Sequence, residues 1–449
     1  MSDLVLKGGV VLDATGERPA DVVVGADGTI LAIGSALTAD RVLDATGCVV
    51  APGFVDLFCA VGEPGRCEAE TVESASRAAV LGGYTALVVR PDDDHPLDSA
   101  AAVRELRDVA SVALCDVVAA GAVTLGRRGE RLAPLGELAA LGVRLFSDEG
   151  AGVTDPRLLR RALEYASDLG IVLAQPAEDA RLGAGGYAHE GGWSSRLGLA
   201  AVAAEAEEIA VMRDLALVRQ VGARLHFRRL STAASLAMVR AARRAGLAVS
   251  ADATLHHALL NDGALGGRLP PFAGWVAPAG LRPDEPDPAR AYDPQFLFRP
   301  PLRPEADRAA VLACLEAADV DALVSDHTPV PAHLKEMPLD GAAAGAVGLE
   351  TTPILAFSHL GVPLARLIPL LSWQPAALAG LGAAHGGELA AGRPANLVVI
   401  EPGAAGQIDP ARFASRSRNT PWAGVHTTFA VRHTIARGRA VVIEGEAQC

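Results

Sequence analysis

The groups in this chain best able to do chemistry sit at the ends of short apolar runs. Asp148 comes soon after Val143-Arg144-Leu145-Phe146, and Gln175 ends Ile171-Val172-Leu173-Ala174. Arg229 comes after Leu225-His226-Phe227, and Asp326 with His327 follows Ala322-Leu323-Val324-Ser325. Carboxylates and imidazoles at several strand ends are what a hydrolytic zinc needs, because they hold the metal while it lowers the pKa of a bound water. His226, His327, Asp148 and Asp326 offer such a set, but two imidazoles without a third convergent ligand hold zinc poorly. Glutamine is a weak ligand, and the Arg229 guanidinium is a permanent cation that repels a metal. Asp148 and Asp326 are therefore expected to pair with Arg229 or to accept backbone hydrogen bonds, with no bound cofactor; zinc is the alternative. Arg90 and Arg229 together would suit an anionic metabolite. Cys59 near Glu63 offers a nucleophile, yet a lone cysteine closing an apolar run is expected in the core.

The elements that must position these groups alternate in type. Strand-like runs, Thr85-Ala86-Leu87-Val88-Val89 and Leu247-Ala248-Val249-Ser250 besides those above, are separated by Ala/Leu/Arg/Glu-rich helical stretches such as 157–165 and 233–240. Strand then helix, repeated, predicts parallel βα units and an α/β fold, a (β/α)8 TIM-like barrel, whose functional groups gather at the strand C-termini. Both ends of the chain read differently. Short strands punctuated by Gly and Asp fill the first fifty residues and return at 395–400, 428–431 and 441–443. They predict a small composite β-sandwich domain from residues 1–52 plus 388–449, around a barrel of residues 53–387. The glycine-rich stretch 183–193 lacks the Lys-Ser/Thr ending of a phosphate-binding loop and reads as a plain loop.

Composition removes several classes of function. With 449 residues, half of them hydrophobic, the chain can fill a barrel of about 250 residues and a second domain. A net charge of −13 argues against nucleic acid and anionic membranes as partners. No apolar run reaches the roughly 18 residues of a membrane span. Six scattered cysteines without CxxC pairs, and a start with no basic-then-apolar signal, are expected of a reduced cytoplasmic protein.

One stretch carries a family likeness. Residues 52–65, Pro-Gly-Phe-Val-Asp-Leu-Phe-Cys-Ala-Val-Gly-Glu-Pro-Gly, resemble the opening of the dihydroorotase family of the amidohydrolase superfamily, which reads Pro-Gly-Phe-Val-Asp-Leu-His-x-His-x-Arg-Glu-Pro-Gly. Further stretches match the family in order: 82–91, 146–150, 230–233, His256-His257, 325–327, 348–351 and 417–422, with Phe298-Arg299-Pro300-Pro301-Leu302-Arg303 similar to its Asn-Pro-Pro-Leu-Arg turn. The resemblance spans nearly the whole chain.

What the resemblance implies is a frame whose chemistry is gone. The family's zinc-binding histidines fall on Phe58, Ala60, Gln175 and Arg229, leaving Asp148 and Asp326 as relics. Its carboxylate-binding arginine, asparagine and histidine fall on Gly62, Asp92 and Val330. Phe58, with Arg229 reaching toward Asp148 or Asp326, is expected to fill the former metal cavity, and His256-His257 to hold structure. By resemblance the chain is an inactive dihydroorotase-like subunit, of the kind some bacteria use as a structural partner of the aspartate transcarbamoylase catalytic chain, and it is expected to form a homodimer. The alternatives are an amidohydrolase acting on a cyclic amide through a rebuilt metal site, and a metabolite-binding protein.

Overall fold

Runs of β-branched and leucine residues become strands here because each can bury both faces. The computed structural model describes residues 3–91, 94–150, 152–269 and 286–448. Strands β1 (Phe54–Cys59), β2 (Tyr84–Val89) and β3 (Asp116–Ala119) form one parallel sheet. Strands β4 (Leu145–Phe146), β5 (Val172–Pro176), β6 (Leu225–Arg228), β7 (Val249–Thr254) and β8 (Ala322–Val324) form another. A parallel bridge between Gly121 and Phe146 joins the two, giving the (β/α)8 barrel. Strand β7 lies later than the 247–250 run predicted, because the Leu247 N–H is taken by the Ala242 carbonyl in the turn closing the preceding helix.

Alternation along these strands sorts side chains into two layers. Leu57, Val88, Leu145, Val172, Ala174, Ala322 and Val324 meet inside the barrel. Leu87, Phe146, Leu173, Leu225, Phe227 and Leu323 point outward into the core shared with the helices. The helices start and stop where the sequence supplies caps: Asp155 accepts the Arg157 N–H ahead of helix Pro156–Leu169, which ends on left-handed Gly170.

Both termini build the β domain. Val49–Pro52 pairs antiparallel with Leu397–Gln407 and parallel with Val10–Asp13, within a seven-stranded sheet. A four-stranded sheet of N-terminal strands packs on it, with Leu6, Val22, Ile30, Val50, Leu397, Val399 and Ile435 in their common core. The chain passes directly from this domain into β1 through Gly53, where a Cβ would lie 2.3 Å from the Thr85 side chain.

The barrel closes between β8 and β1 through a side chain. The Asp56 carboxylate accepts the Ser325 N–H at 2.8 Å and its hydroxyl at 2.5 Å, and the Ala60 N–H donates to the His327 carbonyl at 3.0 Å. Burial pushes the Asp56 carboxyl up to about 6 from 3.8, against the Ser325 hydrogen bonds. A raised folded-state value favours the protonated form. Its contribution to stability is therefore complete below about pH 4 and is lost as pH rises through about 6, a change on the order of 3 kcal/mol. Asp56→Asn is expected to remove this decline in urea-unfolding free energy between those pH values. Parallel profiles for the variant and the parent would count against this account.

Candidate functional site

Three non-glycine residues at the mouth of the barrel adopt left-handed backbone: Phe58 (φ +63°), Arg229 (φ +51°) and Asp326 (φ +48°). They lie at the C-terminal ends of β1, β6 and β8. Each such conformation costs roughly 1 kcal/mol or more, so the surroundings must impose it.

A buried lattice of charges does so. Arg229 places Nη1 2.9 Å from Asp326 Oδ1 and Nη2 2.7 Å from Glu149 Oε1, while its backbone N–H donates to Asp252 Oδ1 at 2.5 Å. The neighbouring Arg228 donates to Glu149 Oε2 and lies 3.4 Å from Asp252 Oδ2. Its guanidinium also sits 3.7 Å over the Phe58 ring, a cation–π contact in a dry site. Inside the barrel, His226 sets Nε2 2.9 Å from Asp252 Oδ2 and Nδ1 2.9 Å from Ser250 Oγ.

Burial alone would discharge these carboxyls. Against it, Arg228, Arg229 and Arg90 hold the Glu149 carboxyl below its ordinary range, and His226 and Arg228 do the same for Asp252. Burial likewise opposes the charge on Arg229, but Glu149 and Asp326 outweigh it and raise its pKa further. Glu149 and Asp252 are thereby held as carboxylates against guanidinium groups, the condition under which buried charges are tolerated.

The sequence-predicted residues divide into those that reach the mouth and those that do not. Phe58, Arg229 and Asp326 come together there. Asp148 does not: its carboxylate accepts the Val123 and Thr124 N–H groups at 2.9 and 3.0 Å and the Thr124 hydroxyl, and burial pushes its pKa up. The acid that meets the arginines is its neighbour Glu149. Gln175 also points away, exchanging hydrogen bonds with the Val153 backbone at 3.1 and 3.2 Å. On β5, Val172 and Ala174 face inward, so Pro176 continues that face and lines the mouth while Gln175 joins the outer layer.

Ala60 contributes its backbone alone, and Val330 is buried with its N–H on Asn419 Oδ1 at 3.0 Å. Gly62 has φ +68°, and a Cβ there would lie 2.5 Å from the Glu70 carbonyl oxygen and 2.7 Å from that of Arg66. Asp92 and its neighbour Asp93 lie outside the described residues. Arg90 donates to Thr328 Oγ1 at 3.0 Å.

The two histidines of the alternative metal site face different partners. His226 is held on Asp252, whereas His327 has Nε2 3.4 Å from Glu70 Oε2 and accepts the Gly348 N–H on Nδ1 at 3.1 Å. His256 stacks on Phe298 with ring centroids 4.0 Å apart, 3.6 Å from Asp326 Oδ2. Burial, with His257 and Arg229 nearby, keeps its pKa well below the usual imidazole value. Cys59 is buried, and burial raises its thiol pKa, the reverse of what a nucleophile needs.

Arg228, Glu149 and Asp252 went unread in the sequence. The available signal for Glu149 was that it adjoins Asp148 in a short strand–loop junction, where a shift of one residue exchanges the inward and outward faces.

Among the described residues no group of three or more His, Cys, Asp or Glu side chains is arranged to hold a metal. The residues at the mouth do not fit zinc: phenylalanine, proline and arginine supply no lone pair toward it, and Glu149 and Asp326 are already engaged by guanidinium groups. Among the described residues, the pocket bounded by Gly150, Pro176, Ala177, Glu178, Arg228, Arg229, Arg299 and Pro300 has a volume of about 10 Å³. That is room for about one water, where small-molecule sites measure hundreds of Å³.

Comparison with known proteins identifies the frame. Residues 47–235 match the family model described as dihydro-orotase-like. A dihydroorotase from Streptomyces coelicolor is 38% identical over 456 residues, covering 99% of this chain and 100% of that one. The chain belongs to the dihydroorotase-like family. A dihydroorotase from Mycobacterium tuberculosis is also 38% identical, over 458 residues, covering 98% of this chain and 99% of its own length. Among solved structures, a D-hydantoinase (dihydropyrimidinase) from a Thermus species superposes with a TM-score of 0.81 at 21% identity, over 99% of this chain and 96% of that one. An L-hydantoinase from Arthrobacter aurescens gives 0.81 at 23%, over 100% and 98%. At those identities the structures establish the fold, the amidohydrolase barrel with its β-rich domain. No helix among the described residues is long and apolar enough to cross a membrane.

Proposed function

We propose that this dihydroorotase-like chain is catalytically inactive and serves as a structural subunit of aspartate transcarbamoylase in pyrimidine biosynthesis. The observation that carries the reading is the ion-pair lattice of Glu149, Arg228, Arg229, Asp252 and Asp326, which fills the barrel mouth where a metal and a substrate would have to sit. Ion pairs that occupy these groups leave the surface as the part free to act, and the full-length likeness to dihydroorotases supports a role beside the same biosynthetic steps.

The test is coexpression with the host's transcarbamoylase catalytic chain, followed by size-exclusion chromatography and carbamoyl-transfer assays. Co-elution with a gain in transcarbamoylase activity or thermal stability is expected. Separate elution at micromolar concentrations, with transcarbamoylase unchanged, would overturn the proposal.

A second reading has one observation in its favour: the 38% identical relatives are themselves named dihydroorotase. It makes this chain an amidohydrolase acting on a cyclic amide through a rebuilt metal site. His226 and His327 would have to serve it, and each is engaged with a different acid. Zinc analysis of the purified chain separates the two readings.

A further inference from the structure

The helix Glu205–Val221 has a conventional inner face and an unusual outer one. Inward it buries Ala206, Ala210, Val211 and Val218, and also Glu207, whose carboxylate accepts the Ser231 and Thr232 N–H groups at 3.0 and 2.9 Å. Outward it presents Glu205, Ile209, Met212, Ala216 and Arg219, every one exposed. Ile209 is 41% and Met212 58% exposed, so two large apolar side chains occupy the middle of a solvent face. The steps along this row are four, three, four and three residues, the spacing of a coiled-coil seam.

The row is complementary to its own reverse. Met212 is its midpoint; Glu205 lies seven residues before it and Arg219 seven after. We infer that this helix packs antiparallel against the same helix of a second copy of the chain, with the two-fold axis passing by Met212. The two methionines then meet at the axis, each Ile209 packs beside the small Ala216 of the other copy, and an acid meets a base at both ends. A two-fold contact of this kind uses one patch twice and closes on itself. The arrangement also sets each acidic N-terminal turn against a basic C-terminal one, as the helix dipoles favour.

The approach is open on one flank and lined by charged side chains on the other. Helix Ala233–Arg244 packs along one side and shows Ala234, Ala237 and Ala241 to solvent, all too small to obstruct a second helix. Helix Pro156–Leu169 packs along the other; its Tyr165 hydroxyl leans away toward Gly136, and it carries exposed Arg157 and the exposed Arg160–Glu164 ion pair. A helix of 17 residues is about 25 Å long, and three helices about 10 Å apart make a face of roughly 700 Å². That approaches the ~800 Å² per partner of a standard stable interface. The inference stands apart from the lost chemistry, since an active barrel could present the same helices, and its test needs no transcarbamoylase.

The experiment is sedimentation equilibrium of the full chain alone. The parent is expected to be dimeric at low micromolar concentration. Glu205→Arg sets like charges together at both ends of the contact, as does Arg219→Glu, and each is expected to weaken the dimer by roughly 10-fold. An equimolar mixture of those two variants regains opposite charges at both ends and is expected to associate as tightly as the parent. Met212→Lys, which buries two ammonium groups at the axis, should leave monomer. A monomeric parent, a dimer indifferent to both charge reversals, or a mixture no tighter than either variant alone would each overturn the inference. The charge reversals are at exposed positions, so they remain informative if Met212→Lys disturbs folding.

Discussion

Replacing Arg229 by alanine is expected to lower the unfolding free energy by about 3–5 kcal/mol, the usual effect of removing one member of a buried ion cluster. The loss is large because Asp326 and Glu149 would keep their burial and lose a guanidinium at 2.9 and 2.7 Å. Its pH dependence is a second signature. In the parent, Glu149 and Asp252 have folded-state pKa values below their ordinary 4.5 and 3.8. Groups depressed in this way contribute stability that is present above those ordinary values and is lost as pH falls through the folded-state ones. The gap between parent and variant should therefore narrow on acidification below about pH 4. Adding Glu149→Gln and Asp326→Asn to an Arg229→Met background should recover much of the loss at neutral pH, because uncharged groups no longer need the cation. Urea denaturation across pH measures all of this. A gap under about 1 kcal/mol, or one that persists undiminished in acid, would mean that the lattice does not hold the mouth together.

Purified chain incubated with zinc and then desalted is expected to retain no stoichiometric metal, and neither cyclisation of carbamoyl aspartate nor hydrolysis of dihydroorotate should exceed the blank. A dication at the mouth would have to displace Arg229 from two carboxylates. Arg229 cannot yield by losing its proton, because those same carboxylates raise its pKa. Phe58→His returns one imidazole but also removes the ring beneath Arg228. That variant is expected to bind no zinc and to be less stable than the parent. Near-stoichiometric zinc by elemental analysis, or turnover that Asp326→Ala abolishes, would return the chain to the catalytic members of its family.

The barrel was legible in the sequence because its strands are apolar runs bounded by polar clusters, and a run such as Ala322-Leu323-Val324 can be little else. The short β3 was harder to see: Asp116–Ala119 is only half buried, and its pattern carries no strong period. At the site, position along the chain was readable to within about one residue, and one residue is the distance between the two faces of a strand. That is why Asp148 stood in for Glu149 and Gln175 for Pro176. Arg228 and Asp252 were invisible for a different reason. Their importance comes from pairing across strands, through contacts between residues 79 and 24 positions apart, which no local pattern encodes.

Gly62 bears on whether an arginine could stand at this position. In this loop, with no side chain at position 62, two carbonyl oxygens lie only 2.5 and 2.7 Å from where a Cβ would go. That loop is then fastened from behind, with the Glu70 carboxylate taking the Arg416 N–H at 3.0 Å and the Ala69 carbonyl taking the Ser417 hydroxyl at 2.7 Å. An arginine at position 62 would meet backbone rather than water, and to be accommodated it would first have to pull this C-terminal segment loose. Selection acting one codon at a time toward such an arginine would therefore meet a ratchet: the first step is the one that this fold penalises, ahead of any gain from later ones.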